Sequence, residues 1–450
     1  MASNSKSRRR RRDNNKPTKS KRALEKAPPQ AAGPTSVHDV PDHLLELVLL
    51  RLRSTACLLR AAAACRRWRR VIAAPGFLSR SLHAPGVAGH YHAFDPDWVD
   101  YGSPPVTGNP VFLPSPSLAA VDARRFALDD VLPDSDSGWA LADSRGSLLL
   151  LFKRRTGWAA LANSRSFPDL VVCEPLTRRC QGILRPEQAT CLGVFLLDGG
   201  RRGRISMSDF RVVAVLHEDH ESGDEDRAMP VACVFSAGSD CGGWRVLPSA
   251  STSSAAVSLP GAVDSISFAG RANGSLYWAI GGGEEDGAML AFDEAAMEFS
   301  RVPFLTGDDG NGSSYDRWSF RVVGGEDGAP RVVRMVRNEL RVHARRRGRS
   351  DGAWVVERVV RLREATLGLP GRSERFFQRN AMIVAAHRTY VLVTPQEKTW
   401  LFSVDLETLR VEREHERNKY AGPAFPSELP WPPSLTASTD ERGRRRRSCR

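Results

Sequence analysis

Lys398-Thr-Trp-Leu-Phe-Ser-Val-Asp-Leu-Glu-Thr408 is a short apolar run that ends on an acid and turns. The same figure stands at Val171-Val-Cys-Glu-Pro-Leu-Thr177 and at Leu290-Ala-Phe-Asp-Glu-Ala-Ala296. A second figure passes through a glycine-rich turn into a Trp-led strand: Val234-Phe-Ser then Gly242-Gly-Trp-Arg-Val-Leu247, and Val342-His-Ala then Gly352-Ala-Trp-Val-Val356. Runs of four to eight apolar or alternating residues bounded by Gly, Asp, Ser and Pro read as β-strands, not helices.

Working outward, the same texture covers Leu148 to Phe152, Leu170 to Cys173, Phe210 to Leu216, Val231 to Phe235, Ser275 to Ile280 and Met289 to Phe292. It continues through Ser319 to Val323, Arg331 to Val336, Leu340 to His343, Trp354 to Val360, Tyr390 to Val393 and Trp400 to Val404. Degenerate repetition of short strands without intervening helices is how a β-propeller looks in sequence, with about 40 to 50 residues per blade. Residues 118–435 are therefore expected to form a propeller-like domain of six or seven irregular blades.

Upstream the period changes. Pro41 suits the opening of a helix, and Leu44, Leu45, Val48, Leu49 and Leu52 then recur at three- and four-residue spacing. Ser54 and Thr55 offer hydroxyl caps for a second helical piece that carries Leu58, Leu59, Ala62, Cys65, Trp68, Val71 and Ile72, until Pro75-Gly76 stops it. Arg60, Arg66, Arg67, Arg69 and Arg70 take the outward positions. A helical piece this short buries too little apolar area to stand alone, so its stripe needs a partner, either the chain's own β domain or a groove on another protein. The chain thus divides into a tail (1–35), a helical module (38–83), a connector (84–117), the β domain (118–435) and a second tail (436–450).

The formal charge of +13 belongs to the ends: residues 1–26 contribute +9 and residues 440–450 contribute +4, which leaves the body neutral. A neutral body argues against a nucleic-acid-binding face. Both tails lack large apolar residues and are expected to be disordered. The clusters Arg8 to Arg12 and Lys16 to Arg22 resemble a bipartite nuclear import signal, so nucleus and/or cytoplasm is the expected location. No apolar run approaches the ~18 residues of a membrane span, and a soluble intracellular protein is expected. Eight scattered cysteines without a C-x-x-C pair suggest free buried thiols, not a disulfide framework or zinc site.

Catalytic signatures are missing: there is no G-x-S-x-G elbow, Walker lysine loop or H-E-x-x-H helix. No enzyme activity, cofactor or metal is expected. His217-Glu-Asp-His220 with Glu221, Asp224, Glu225 and Asp226 reads as an acidic loop between strands, and Gly281 to Gly287 as a hairpin loop. Arg345-Arg-Arg347 with Arg349 reads as a solvated basic turn, and Pro430-Trp431-Pro432-Pro433 as a seal on the last β unit.

The helical module resembles the F-box family. Val40-Pro41-Asp42, Leu44-Leu45, Ala64-Cys65-Arg66-Arg67-Trp68 and Val71-Ile72 follow that family's order and spacing. Val40 stands where the family commonly has Leu, a loss of one methylene or about 0.8 kcal/mol if buried. Ser54-Thr55 stands where it often places Pro. The resemblance implies docking on a Skp-type adaptor and, through it, on cullin and RING subunits of a ubiquitin ligase. Val40, Pro41, Leu44, Leu45, Val48, Leu49, Leu58, Cys65, Trp68 and Val71 would form or frame the adaptor-facing surface. Gly274-Ser-Leu-Tyr-Trp278, residues 170–179 and residues 398–408 resemble the F-box-associated propeller-like domains of plant F-box proteins, where the C-terminal domain captures the target. The competing reading is a nuclear nucleic-acid-binding or scaffold protein acting through its basic tails and a propeller.

Overall fold

The computed structural model describes residues 39–429 except 53–54, 75, 78–86, 95–108, 117–121, 134–137, 154–168, 185–189, 200–204, 220–226, 238–242, 248–256, 282–287, 304–318, 326–327, 346–353, 396–399 and 416–419. Both basic tails and Trp431 lie outside the described residues. The chain opens with helices α1 (Asp42–Leu50), α2 (Thr55–Ala64) and α3 (Arg66–Ala73). Strands β1 (Val87–Phe94) and β2 (Val111–Pro114) follow.

Four-stranded antiparallel units then succeed one another. Unit one holds β3 (Trp139–Arg145), β4 (Leu148–Lys153), β5 (Leu170–Glu174) and β6 (Arg179–Ile183). Unit two holds β7 (Thr190–Asp198), β8 (Phe210–Asp219), β9 (Arg227–Ser236) and β10 (Arg245–Val246), with β11 (Leu259–Pro260) also on β9. Unit three holds β12 (Ile266–Ala272), β13 (Ser275–Ile280), β14 (Ala288–Asp293) and β15 (Glu298–Pro303). Unit four holds β16 (Phe320–Gly324), β17 (Pro330–Val336), β18 (Glu339–Arg345) and β19 (Trp354–Arg361), followed by the single turn α4 (Leu362–Ala365). Unit five holds β20 (Met382–Ala386), β21 (Tyr390–Thr394), β22 (Leu401–Asp405) and β23 (Val411–His415). Last comes β24 (Tyr420–Glu428), which pairs with β1 and so joins β2 in a sixth unit.

This is a mainly β, propeller-like body of six units with a small helical module before it. Among the described residues no sheet closes on itself; the inner strands β24, β3, β7, β12, β16 and β20 pack in cyclic order, and β1 returns from the N-terminal side to hydrogen-bond β24. The stretch read as connector therefore carries two strands. Val-Ala-Gly-His-Tyr-His-Ala-Phe is small and glycine-bearing enough to pass for a linker, and becomes a strand because β24 offers it an edge. The Pro-rich ending likewise begins as a strand, since Pro423 and Pro426 lie within β24.

The repeated acid-turn figure has a common mechanism. Asp293 accepts from the N–H groups of Ala295 (2.8 Å) and Ala296 (2.7 Å), and Asp405 from those of Glu407 (3.1 Å) and Thr408 (2.6 Å). These are Asx turns, in which the side chain stands in for a backbone acceptor. In unit one Glu174 reaches instead to Thr177 Oγ1 (2.6 Å) and Ser147 Oγ (2.7 Å). All three turns end on a left-handed residue, Arg178, Met297 or Leu409. Asn273-Gly274, both at positive φ, make the two-residue turn between β12 and β13 that a right-twisted hairpin favours. Gly270 is required by close approach: a Cβ there would lie 2.2 Å from Val322 O, where β12 and β16 meet in parallel.

Where β3, β7 and β12 end, charges lock three units together. Arg145 bonds Asp198 through two nitrogens (2.8 and 2.6 Å) and Glu294 through a third (2.7 Å). Arg271 meets Asp143 (3.0 Å), Glu294 (2.9 Å) and Leu196 O (2.8 Å). Burial alone would lower the Arg145 pKa, but Glu294 and Asp198 outweigh it and hold it above the ordinary arginine value.

The cysteine expectation needs correction. Cys173 and Cys180 form a disulfide with Cα atoms 4.2 Å apart, because they are direct cross-strand partners in the β5–β6 hairpin. Spacing motifs do not reveal a pairing that the hairpin register creates. Of the described free cysteines only Cys233 is buried; Cys57 is exposed, and Cys65 and Cys191 are intermediate. Chain-entropy reasoning for so short a loop gives about 2–3 kcal/mol. Thermal unfolding of Cys180→Ser against the oxidised wild type is expected to show that loss, and adding reductant is expected to lower the wild type toward the variant while leaving the variant unmoved.

At the closing seam Tyr390 Oη and His90 Nε2 lie 2.6 Å apart, joining unit five to β1. Burial, and then Glu412, push the nearby Glu414 carboxyl up to about 7. Folding thus raises this acid's pKa, so the folded chain holds the proton more tightly between about 4.5 and 7. Its contribution is fully present below pH 4.5, is lost as pH rises through 7 and is level above that. Glu414→Gln is expected to remain more stable than wild type at pH 8 by about 2–3 kcal/mol, less than the full shift because the group is half-buried, and to match it at pH 4. Denaturant titration at the two pH values checks this.

Candidate functional site

The helical module is built from pieces of nine, ten and eight residues, each too short to be stable alone in water. They are held by a small core of Leu45, Leu49, Leu58, Ala61, Ala62, Val71, Ile72 and Phe77, with Val40, Leu50, Leu52, Trp68 and Ala74 packed against it. Pro41 sits at the N-cap of α1, where its carbonyl accepts from Leu44 N (3.1 Å) and Leu45 N (3.0 Å). Asp42 in the first turn favours the helix dipole and meets Arg67 Nε at 2.7 Å. Arg67 also donates to Val40 O, so it pins α3 to the start of α1. Of the adjacent arginine pair, Arg66 alone points outward as an exposed side chain.

Cys65 has a structural duty. It caps α3, its Sγ accepting from Trp68 N at 3.4 Å in the place a Ser or Thr would usually take. The cap of α2 expected from Ser54 and the Thr55 side chain lies outside the described residues.

The ten residues assigned to the surface divide by burial. Leu45, Leu49, Leu58 and Val71 are sealed beneath the module's own helices, so they support the surface from within. Val40, Cys65 and Trp68 are intermediate, and Pro41 is exposed. Leu44 and Val48 face outward at 45% and 59% exposure, joined by Leu47 at 53%. Leu47 stands outside the ten residues that the family resemblance marks, although its place three residues after Leu44 puts it on the same helical face. Pro41, Leu44, Leu47 and Val48 form one apolar stripe along α1 that no described part of the chain covers.

His217 is buried and its Nε2 donates to Pro260 O at 2.8 Å, which occupies it structurally. Residues 220–226, 282–287 and 346–353, which hold the remaining acidic, glycine-rich and basic loop residues, lie outside the described residues. Among the described residues no cluster of three or more His, Cys, Asp or Glu side chains could hold a metal. No described helix is long and apolar enough to cross a membrane.

Residues 37–84 match the F-box-like family model. F-box domains generally bind Skp-type adaptors. No curated protein matches the chain. Among solved structures, the β-propeller domain of Cps50 (Swd1) from Myceliophteria thermophila is similar at 14% identity over 61% of this chain and 71% of that one, with a TM-score of 0.29. A protein from Lactobacillus plantarum is similar at 11% identity over 62% and 70%, with a TM-score of 0.33. YjhT is similar at 8% identity over 61% and 82%, with a TM-score of 0.32. By module and fold, the chain is an F-box-like domain joined to a β-propeller-like body.

Proposed function

We propose that this protein is a substrate-recognition subunit of a Skp–cullin–F-box type ubiquitin ligase, similar in organisation to plant F-box proteins with an F-box-associated domain. The observation that carries the reading is the exposed stripe of Leu44, Leu47 and Val48 inside the F-box-like match. Three large apolar residues at helical spacing are the anchors that a helix-in-groove partner requires. The adaptor covers them, cullin and RING subunits join through the adaptor, and the propeller-like body holds the target. Catalysis is positional: the receptor raises the target's effective concentration near the ubiquitin-charged enzyme and supplies no reacting group. The clusters Arg8 to Arg12 and Lys16 to Arg22 support a nuclear or cytoplasmic site of action. Size-exclusion chromatography of the full chain with a purified Skp-type adaptor tests the reading; a shared peak is expected, and separate elution at micromolar concentration contradicts it.

A further inference from the structure

The topology gives the propeller two unlike rims. Inner strands end in tight turns at one rim, among them Gly146 and Asn273-Gly274. The N–H of Glu428, at the end of β24, donates to Gly146 O there (3.0 Å), and Val87, the first residue of β1, is paired with Glu428. The first strand of the body, β1, therefore starts at the turn rim. At the opposite rim lies the connection that leads from β19 into the inner strand β20.

Residues 362–381 form a fully described connection at that far rim, from β19 to β20, and it is rigidly built. Asn338 Nδ2 donates to Phe377 O (2.6 Å), Ala381 N to Arg337 O (3.2 Å) and Leu362 N to Asn338 O (3.0 Å), which bind the connection to the β17–β18 turn. Arg372 donates to Thr366 Oγ1 (3.0 Å) and Arg363 O (2.8 Å). Arg413, 4.5 Å over the Trp400 ring, donates to Pro370 O (2.7 Å). Phe376 and Phe377 anchor it in the core.

On this frame Arg337, Arg363, Arg375 and Arg379 are exposed, and Leu367 stands 65% exposed among them. The only acids on the connection are Glu364, 3.8 Å from Arg361, and Glu374. In a body whose net charge is zero, this is a local positive surface with an apolar knob.

We propose that this surface receives an acidic segment of a polypeptide carrying an apolar residue between its carboxylates. The inference rests on the receptor reading for its biological sense, and on charge and topology for its location. Guanidinium groups held on a pre-ordered loop lose little freedom on binding, and charge-assisted contacts to carboxylates supply the recognition. An occupant here sits at the rim opposite the start of β1.

The test uses the full chain and a fluorescein-labelled peptide of glutamates flanking one leucine, read by anisotropy, with a lysine counterpart as control. Arg337→Glu/Arg363→Glu/Arg375→Glu is expected to weaken binding about tenfold or more. Arg124→Glu/Arg125→Glu/Arg388→Glu is an equal charge change at the turn rim, where Arg178 of the β5–β6 turn donates to Arg124 O and Arg388 lies in the turn that ends β20, and is expected to leave binding unchanged. Equal loss in both variants, or loss in neither, overturns the proposal. Both variants keep the basic tails, so their difference reports the rim alone. Should the triple variant unfold, Arg375→Glu alone carries the test with a loss of about threefold. Adaptor capture is measured on the same samples. A wild type that binds peptide through these arginines without capturing adaptor sinks the receptor reading and leaves this surface standing; the converse result does the opposite.

Discussion

Leu44→Asp combined with Val48→Asp is expected to abolish capture of a Skp-type adaptor while the chain keeps its fold. Both side chains are about half exposed already, so the free protein loses little apolar burial when they change. In a complex the accounting reverses. Covering Leu44, Leu47 and Val48 contributes roughly 3–4 kcal/mol of apolar burial, and an aspartate in the groove adds the cost of an unpaired buried carboxylate, several kcal/mol more. Since each 1.4 kcal/mol is about tenfold, affinity should fall by about a thousandfold or more. Leu49→Ala makes the contrast: Leu49 is 1% exposed, so its loss is a cavity in the module's core worth about 2–5 kcal/mol of stability. Circular dichroism and pull-down on the same samples separate a damaged surface from a damaged fold.

Glu294→Ala is expected to be among the most destabilising single changes in the propeller-like body, by about 3–5 kcal/mol. The carboxylate is 8% exposed and pairs with Arg145 and Arg271, which are themselves only 20% and 22% exposed. Removing it leaves two largely buried guanidinium groups sharing Asp143 and Asp198, and the repulsion falls at the junction of three units. Glu294→Gln should lose less, because it keeps the shape and one acceptor while giving up the charge. Urea unfolding gives both numbers. A loss under 1 kcal/mol for the alanine variant would mean that the network is already screened by solvent.

The twelve strands expected from apolar runs all appear, with ends within two residues except for β8, which ends three residues later, and β9, which starts four residues earlier, because turn residues stand beside them. Asp293 and Asp405 announce their turns locally, and a local signal survives in sequence. What stayed hidden was long-range. β1 looks like linker until β24, more than three hundred residues away, pairs with it. The Cys173–Cys180 bond depends on hairpin register, and the ion network joins residues that neither period nor spacing brings together. The exposed apolar stripe of α1 is half legible in the sequence. Helical spacing marks the apolar positions of α1, but Leu44 and Leu45 differ only in which side of the helix faces α2 and α3. That division depends on the small core, so spacing alone does not separate inward Leu45 and Leu49 from outward Leu44 and Val48.

Hydrogen exchange across α1, in the full chain with and without a saturating purified Skp-type adaptor, tests the central claim most directly. Short helices over a small core should exchange readily when free, and the segment 42–50 should become strongly protected in the complex, with the propeller strands unchanged. Unaltered exchange over that segment with adaptor present would contradict the account.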